Sequence, residues 1–249
     1  MTDRTGVPPV TGISGRAGAP QAREEQNMSR VDIEKKIQSE NDRVAEENRR
    51  VFTDAGVFVL NIISSPGSGK TTLLEATLDR LADKMNIVVI EGDISTERDM
   101  DRVRARGASG VQINTGGGCH LSSGMVAKAL TDLDLSSAEI VFIENVGNLV
   151  CPSTYDLGED VRMVLLSTTE GDDKPMKYPA IFHEASLAIL NEIDLLPHLT
   201  YDVEKVEKEI RVLNPDSEIL RLSATTGEGM DAWIEWIMAK LREKKSTLT

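Results

Sequence analysis

Only two cysteines and three histidines occur in the 249 residues. Two cysteines cannot supply a disulfide framework, so a reduced, cytoplasmic protein is expected. Positive charge is also in deficit, with 28 Lys and Arg against 41 Asp and Glu, a net charge of −13. Such a field repels phosphate backbones and anionic lipid, which argues against a broad nucleic-acid or membrane-surface role. Long hydrophobic runs are missing too. The longest, such as VFVL at 57–60, suit buried strands and fall far short of a membrane span. The opening MTDRTGVPPV lacks the apolar stretch of a secretory signal, and no internal repeat is visible.

What is present divides into three parts. Residues 1–28 are rich in Gly, Pro, Ala and Arg without apolar periodicity, and are expected to be a disordered tail. Met28 closes it and could serve as an alternative start. Residues 29–52 read as a charged helical arm, with Ser29 and Asp32 resembling a cap. Its stripe of Ile33, Ile37, Val44 and Val51 is too thin for a core helix, leaving a solvated arm or a partner-docking helix. Residues 53–249 form the main domain.

Strand-like runs fall at 57–63, 86–91, 111–114, 139–144, 163–168, 187–191 and 218–223, with helical patterns between them, as at 71–84 and 231–244. Continuous apolar strands joined by helical crossovers predict an α/β fold: a mostly parallel central sheet with helices on both faces. Trp233, Trp236 and Ile237 share one helix face and are expected in the core.

After the first strand comes SSPGSGKTT, residues 64–72. It matches a phosphate-binding P-loop except that Ser64 stands at the first glycine. Small residues such as Gly67, Ser68 and Gly69 let successive backbone N–H groups curl around phosphate oxygens. Lys70 supplies a cation for the β- and γ-phosphates, Thr71 a hydroxyl for Mg²⁺, and Thr72 continues into a helix whose positive end faces the anion. Asp93 and Glu144 end two further strands, where hard oxygen ligands suit Mg²⁺ and a positioned water; with Lys70 they are the candidate catalytic groups. NEID at 191–194 ends a later strand. Asp194 can accept both N1–H and the 2-amino group of guanine, donors that adenine does not present there. Asn191 accompanies it, and Ser223 and Ala224 in LSATTGEGMD form a second loop near the base.

Two of the five Cys and His residues lie side by side in NTGGGCHLSSGM, residues 114–125. Cys119 is expected at a helix N-terminus, which favours the metal-binding thiolate. Three preceding glycines let Cys119 and His120 point the same way. Cys151 lies beyond the Glu144 loop. If the fold brings these loops together, one chain offers Cys119, His120 and Cys151, and two chains about a two-fold could complete a four-ligand site for Zn²⁺ or Ni²⁺. Spacing alone leaves open a second reading, two small buried hydrophobes and a loop histidine.

Taken in order, SSPGSGKTTLLE, EGDISTERDMDRV, QINTGGGCHL, ENVGNLVCPSTYDLGE, DDKPMKYP and NEIDLLP resemble the HypB family, the GTPases that help insert nickel into [NiFe]-hydrogenase, from about Ser39 onward. ENVGNLVCP and the Cys-His corner separate it from the related urease-maturation GTPase UreG. The resemblance implies GTP/GDP and Mg²⁺, a nucleotide-dependent homodimer with nickel or zinc at its interface, and two partners: the HypA metallochaperone near the N-terminal arm and the hydrogenase large-subunit precursor. It places Lys70 and Thr71 in the P-loop, Asp93 in a first switch region, Glu144 and Gly147 in a second, and Asn191 with Asp194 at guanine. It also favours the metal reading of Cys119, His120 and Cys151. Lys174 is a candidate to reach a partner chain's nucleotide, or else a solvated loop lysine. No catalytic glutamine stands near Gly147, so slow hydrolysis is expected.

Three departures stand out. Glu192 occupies the Lys position of the usual N-K-x-D guanine motif, which predicts weakened GTP affinity with guanine preference retained. Ser122 stands where the family commonly has Asp, altering a neighbour of the metal site. The N-terminal tail carries neither a Cys cluster nor a His-rich tract, so no nickel store is expected there. Competing readings are a UreG-like urease maturation GTPase and a metal-binding scaffold with a decayed nucleotide site.

Overall fold

The computed structural model describes residues 30–93 and 98–247. The expectations for residues 1–28 and for the Ser29 cap lie outside these, as does the Asp93 side chain. The chain divides into two units, Met1–Ile37 and Gln38–Thr249. Helix α1 runs over Arg30–Asp54.

Seven strands follow: β1 (Phe58–Ser64), β2 (Ile87–Asp93), β3 (Ser109–Asn114), β4 (Ile140–Glu144), β5 (Val161–Ser167), β6 (Leu187–Asn191) and β7 (Glu218–Arg221). They pair in the order β3-β2-β4-β1-β5-β6-β7, every pair parallel. Between them lie α2 (Lys70–Leu81), α3 (Arg98–Arg104), α4 (Ser123–Leu130), α5 (Lys174–Lys177), α6 (Pro179–Glu184) and α7 (Val203–Leu213), and α8 (Met230–Thr247) follows β7. The central strands β1, β4, β5 and β6 are buried on both faces because the crossovers return helices over the sheet, and their sequences are accordingly mostly apolar rather than alternating, whereas the edge strands β3 and β7 are only partly buried.

One face packs Phe58, Leu60 and Ile62 of β1 against Leu73, Leu74 and Leu78 of α2 and Trp233, Trp236 and Ile237 of α8. Trp233 is fully buried, and its indole N–H donates to Thr77 Oγ1 at 2.9 Å, so the expected core role of this face holds. The opposite face holds Val59 with Phe52 of α1 and Val126 of α4, and further along Ile63 with Phe182 of α6 and Ile210 of α7.

The packed face of α1 is not its valines. Val51 is 46% exposed, whereas Asn41, Ala45, Asn48 and Phe52 are buried. Their 4-3-4 spacing is one helical stripe, but half of it is asparagine, which an apolar count passes over. Because all strands are parallel, the loops after β1, β2, β3, β4 and β6 gather at one end of the sheet, the end where ligands bind in open α/β folds.

Candidate nucleotide site and metal corner

The P-loop is held in shape by its own atoms and by one asparagine. Gly69, at φ +90°, caps α2, and a Cβ there would lie 2.6 Å from Asn191 Nδ2. Glycine is needed for both the left-handed backbone and the close approach. Ser68 Oγ donates to Ser65 O at 2.8 Å, and Lys70 Nζ donates to Ser64 Oγ at 2.9 Å. The residue that departs from the glycine pattern therefore touches the P-loop lysine. Asn191 is buried; its amide donates to Ser68 O at 3.0 Å and its Oδ1 accepts from Ala224 N at 3.1 Å. It ties together the P-loop, the 191–194 loop and the loop from Ser223. Ser223 is buried and its Oγ accepts from Thr226 N at 3.1 Å. Asp194 is half-buried on the 3₁₀ turn Ile193–His198.

Thr71 Oγ1 donates to Glu144 Oε1 at 2.9 Å. The hydroxyl and carboxylate expected to serve Mg²⁺ are thus together at the α2 N-terminus, an oxygen donor set that suits a hard cation. One acid was missed from sequence. Glu91 lies opposite Glu144 in the β2–β4 register, and both are buried. The signal was legible, since Glu91 interrupts an apolar strand two residues before Asp93.

A second acidic cluster stands over the P-loop. Burial pushes the Glu170 carboxyl above its ordinary range, Glu192 adds to this, and Ser65, Lys174 and Lys70 oppose it. Lys174 Nζ lies 3.8 Å from Glu170 Oε2, and the lysine side chain is only 17% exposed. In the single chain Lys174 is therefore neither solvated nor extended outward.

Cys119, His120 and Cys151 do converge: their ligand atoms all lie within 4.8 Å of one another. Cys119 is exposed and Cys151 half-buried, and the His120 ring lies 3.8 Å from that of Tyr155, centroid to centroid. Two thiols and an imidazole suit Zn²⁺ or Ni²⁺ and leave at least one coordination position for water or another chain. The thiolate expectation needs correction. α4 begins only at Ser123, capped by Ser122, so Cys119 lies four residues ahead of the helix and receives no stabilisation from it. Instead a hydrogen bond with Cys151, together with desolvation, raises the Cys119 thiol above its ordinary value. Desolvation lowers His120.

The loops that carry Cys119, His120 and Cys151 are tied to α1. Asn41 Oδ1 accepts from Ser123 N at 2.9 Å, and Asn41 Nδ2 donates to Asp156 O at 2.8 Å. Asn48 Nδ2 donates to Ser123 O at 2.9 Å and to Leu157 O at 3.1 Å. Gln38 donates to Thr154 O, and Arg49 Nη2 meets both carboxylate oxygens of Asp156 at 2.9 and 2.7 Å. Burial works to raise Asp156, but the Arg49 hydrogen bonds prevail and hold it below the usual carboxylate range.

A family model described as "CobW/HypB/UreG, nucleotide-binding domain" matches residues 58–221. "Hydrogenase maturation factor HypB" of Azotobacter vinelandii is 54% identical over 205 residues, covering 82% of this chain and 68% of that protein. The Escherichia coli protein of the same name is 52% identical over 207 residues, 83% of this chain and 71% of that one. The chain belongs to the HypB family. A crystal structure of HypB from Helicobacter pylori in complex with nickel superposes with a TM-score of 0.79 at 39% identity, covering 83% of this chain and 97% of that one.

Two of this chain's departures from the HypB pattern acquire a physical reading. Ser122 accepts from Met125 N at 3.4 Å as the α4 cap, so its oxygen serves the helix. Glu192 has φ +65°, a left-handed backbone rare for a residue with a Cβ, and its carbonyl accepts from Thr168 Oγ1 at 2.8 Å. Its carboxylate accepts from Ser167 and faces the Glu170 neighbourhood rather than supplying a cation to it. No helix among the described residues is long and apolar enough to cross a membrane.

Proposed function

We propose that this chain is a GTP-binding and GTP-hydrolysing nickel-insertion factor for [NiFe]-hydrogenase maturation. The observation that carries the reading is one segment, ENVGNLVC. It begins at Glu144, hydrogen-bonded to the P-loop Thr71, and ends at Cys151, within 4.8 Å of Cys119 and His120. One short loop therefore links a phosphate site to a metal corner.

In this reading the P-loop backbone from Gly67 to Thr72 cradles the phosphates. Lys70 leaves Ser64 to balance charge on the β- and γ-phosphates. Mg²⁺, when bound beside Thr71, Glu144 and Asp93, supplies charge neutralisation for the transferred phosphoryl group. Asp93 and Glu144 orient the attacking water, and with no glutamine beside Gly147 hydrolysis is slow. Asp194 reads the guanine edge while Asn191, Ser223 and Ala224 keep the pocket in register. Nickel is cargo, held by Cys119, His120 and Cys151, with zinc as an alternative occupant of the same donors. A GTP-dependent homodimer completes the coordination, and hydrolysis times nickel release to the HypA metallochaperone or to the hydrogenase large-subunit precursor.

The test is a paired one. GTP turnover is expected in the wild type and absent in Lys70→Ala, while nickel binding is expected in both and weakened at least about a hundredfold in Cys119→Ala. Turnover that survives Lys70→Ala, or a nickel affinity unchanged in Cys119→Ala, would remove the corresponding half of the reading. A wild type without turnover would favour a metal scaffold with a decayed nucleotide site.

A further inference from the structure

Beneath the ENVGNLVC loop runs a line of buried amides that neither the nucleotide chemistry nor the metal ligation uses. Asn145 follows Glu144 directly and is 1% exposed. Its Oδ1 accepts from Leu121 N at 3.1 Å and from Val146 N at 2.9 Å, and its Nδ2 donates to Asn61 Oδ1 at 3.3 Å. Leu121 is the residue after His120. Asn61, wholly buried in β1, in turn donates to Glu159 Oε1 at 3.1 Å. Arg162 meets that same oxygen at 3.0 Å and donates to Ser153 O at 3.1 Å and Tyr155 O at 3.2 Å. One end of this line therefore holds the loop carrying Cys119 and His120, and the other holds the turn carrying Cys151.

The loop is also pinned to the phosphate site on both sides of Asn145. Glu144 accepts from Thr71 Oγ1. A Cβ on Gly147 would lie 2.9 Å from Pro66 Cα, inside the P-loop, so the two backbones are in direct contact. Within four residues the chain touches the P-loop, then the metal loop, then the P-loop again. A displacement at Glu144 or Gly147 cannot be absorbed by Asn145 without stretching its bond to Leu121 or breaking a buried one. Buried polar groups left unpaired are costly, so the metal loop follows.

We infer that Asn145 is the positioning residue through which nucleotide state sets metal affinity: its side-chain oxygen on the Leu121 N–H carries movement at Glu144 and Gly147 to Cys119 and His120. This rests on the nucleotide-dependent metal switch proposed above, and it names the atom pair that couples the two sites. Asn145 touches neither phosphate nor metal. Its loss is expected to abolish a difference between two states rather than an activity.

The experiment is a nickel titration of the full chain with GDP and with a non-hydrolysable GTP analogue, in wild type and Asn145→Ala. The wild-type affinities are expected to differ about tenfold between nucleotides. In Asn145→Ala the ratio is expected to collapse to near one, while GTP still binds and the sulfur-to-nickel charge-transfer absorption is still seen. A variant that retains the wild-type ratio overturns the inference. A wild type with no ratio instead removes the switch reading, and the inference with it. Because Asn145→Ala could disturb folding, amide exchange of the peptide carrying Leu121 is followed in metal-free wild type. Its protection is expected to change with nucleotide. Identical protection in a protein whose nickel affinity does change would overturn the Asn145 link without any variant.

Discussion

The nucleotide pocket and the metal corner stand on loops at the same end of one parallel sheet, yet they are held by different means. The pocket is framed largely by its own neighbourhood: the P-loop that ends β1 bonds internally through Ser65–Ser68 and Ser64–Lys70, and Asn191 fixes it to the two base-side loops. The corner has no such local frame. Cys119 and His120 follow three glycines, Cys151 lies beyond another loop, and their positions depend on Asn41, Asn48 and Arg49 from α1 and Asn145 from β4's end. A contiguous frame suits a site that must bind the same phosphates each cycle. In the proposed reading, a corner suspended between two supports suits a site that holds nickel and then releases it.

That contrast can be broken at several points, the first with the largest expected effect. Cys119→Ala should lower nickel affinity by at least about a hundredfold, since loss of a direct ligand exceeds even the upper range for loss of a ligand's partner, and should leave GTP affinity unchanged. Equilibrium dialysis against each ligand separates the two. Next, Asn48→Ala should weaken nickel binding by roughly tenfold and destabilise the fold by about 1–3 kcal/mol, because two buried carbonyls lose their donor. GTP affinity measured by calorimetry should stay within error, and a matching fall in GTP affinity would mean that α1 supports both sites alike.

Smaller effects come from single charges. Glu192→Lys should raise GTP affinity about threefold to tenfold, within the roughly 0.5–1.5 kcal/mol of one well-placed polar interaction, by removing a carboxylate that pushes against Glu170 over the P-loop. Unchanged affinity would show that the Ser167 bond already isolates it. The smallest concerns Arg49 and Asp156. The folded Asp156 carboxyl lies below its ordinary 3.8. Its pairing therefore stabilises the fold fully above that value, and the contribution fades as pH falls through the lower folded value. Thermal melts of wild type and Arg49→Ala should differ by a constant margin from pH 7 to about 5, and the margin should begin to narrow only as pH falls toward the ordinary 3.8 and on through the lower folded value.

The strands, the P-loop and the Cys119–His120 pair were legible because each announces itself by chain-local pattern: an apolar run, a glycine spacing, two scarce residue types side by side. The supports were not. Asn41 and Asn48 lie on one helical stripe, but asparagine on a charged helix looks solvated until the carbonyls it meets are known. Asn61 did break an apolar strand, a signal as clear as Glu91's, yet its partners Asn145 and Glu159 are 84 and 98 residues away in sequence. The Cys119 expectation failed for a related reason: the glycine run placed the cysteine before the helix rather than at its first turn, and the thiol is raised first by Cys151, 32 residues on, and then by desolvation.

The central claim is that nucleotide state reshapes a sulfur-containing metal site. Nickel K-edge X-ray absorption of the wild-type protein, loaded with nickel and either GDP or a non-hydrolysable GTP analogue, tests it most directly. The account predicts sulfur and imidazole in the nickel shell with one nucleotide, and a changed sulfur count or geometry with the other. Identical spectra in both states, or a shell without sulfur, would contradict it.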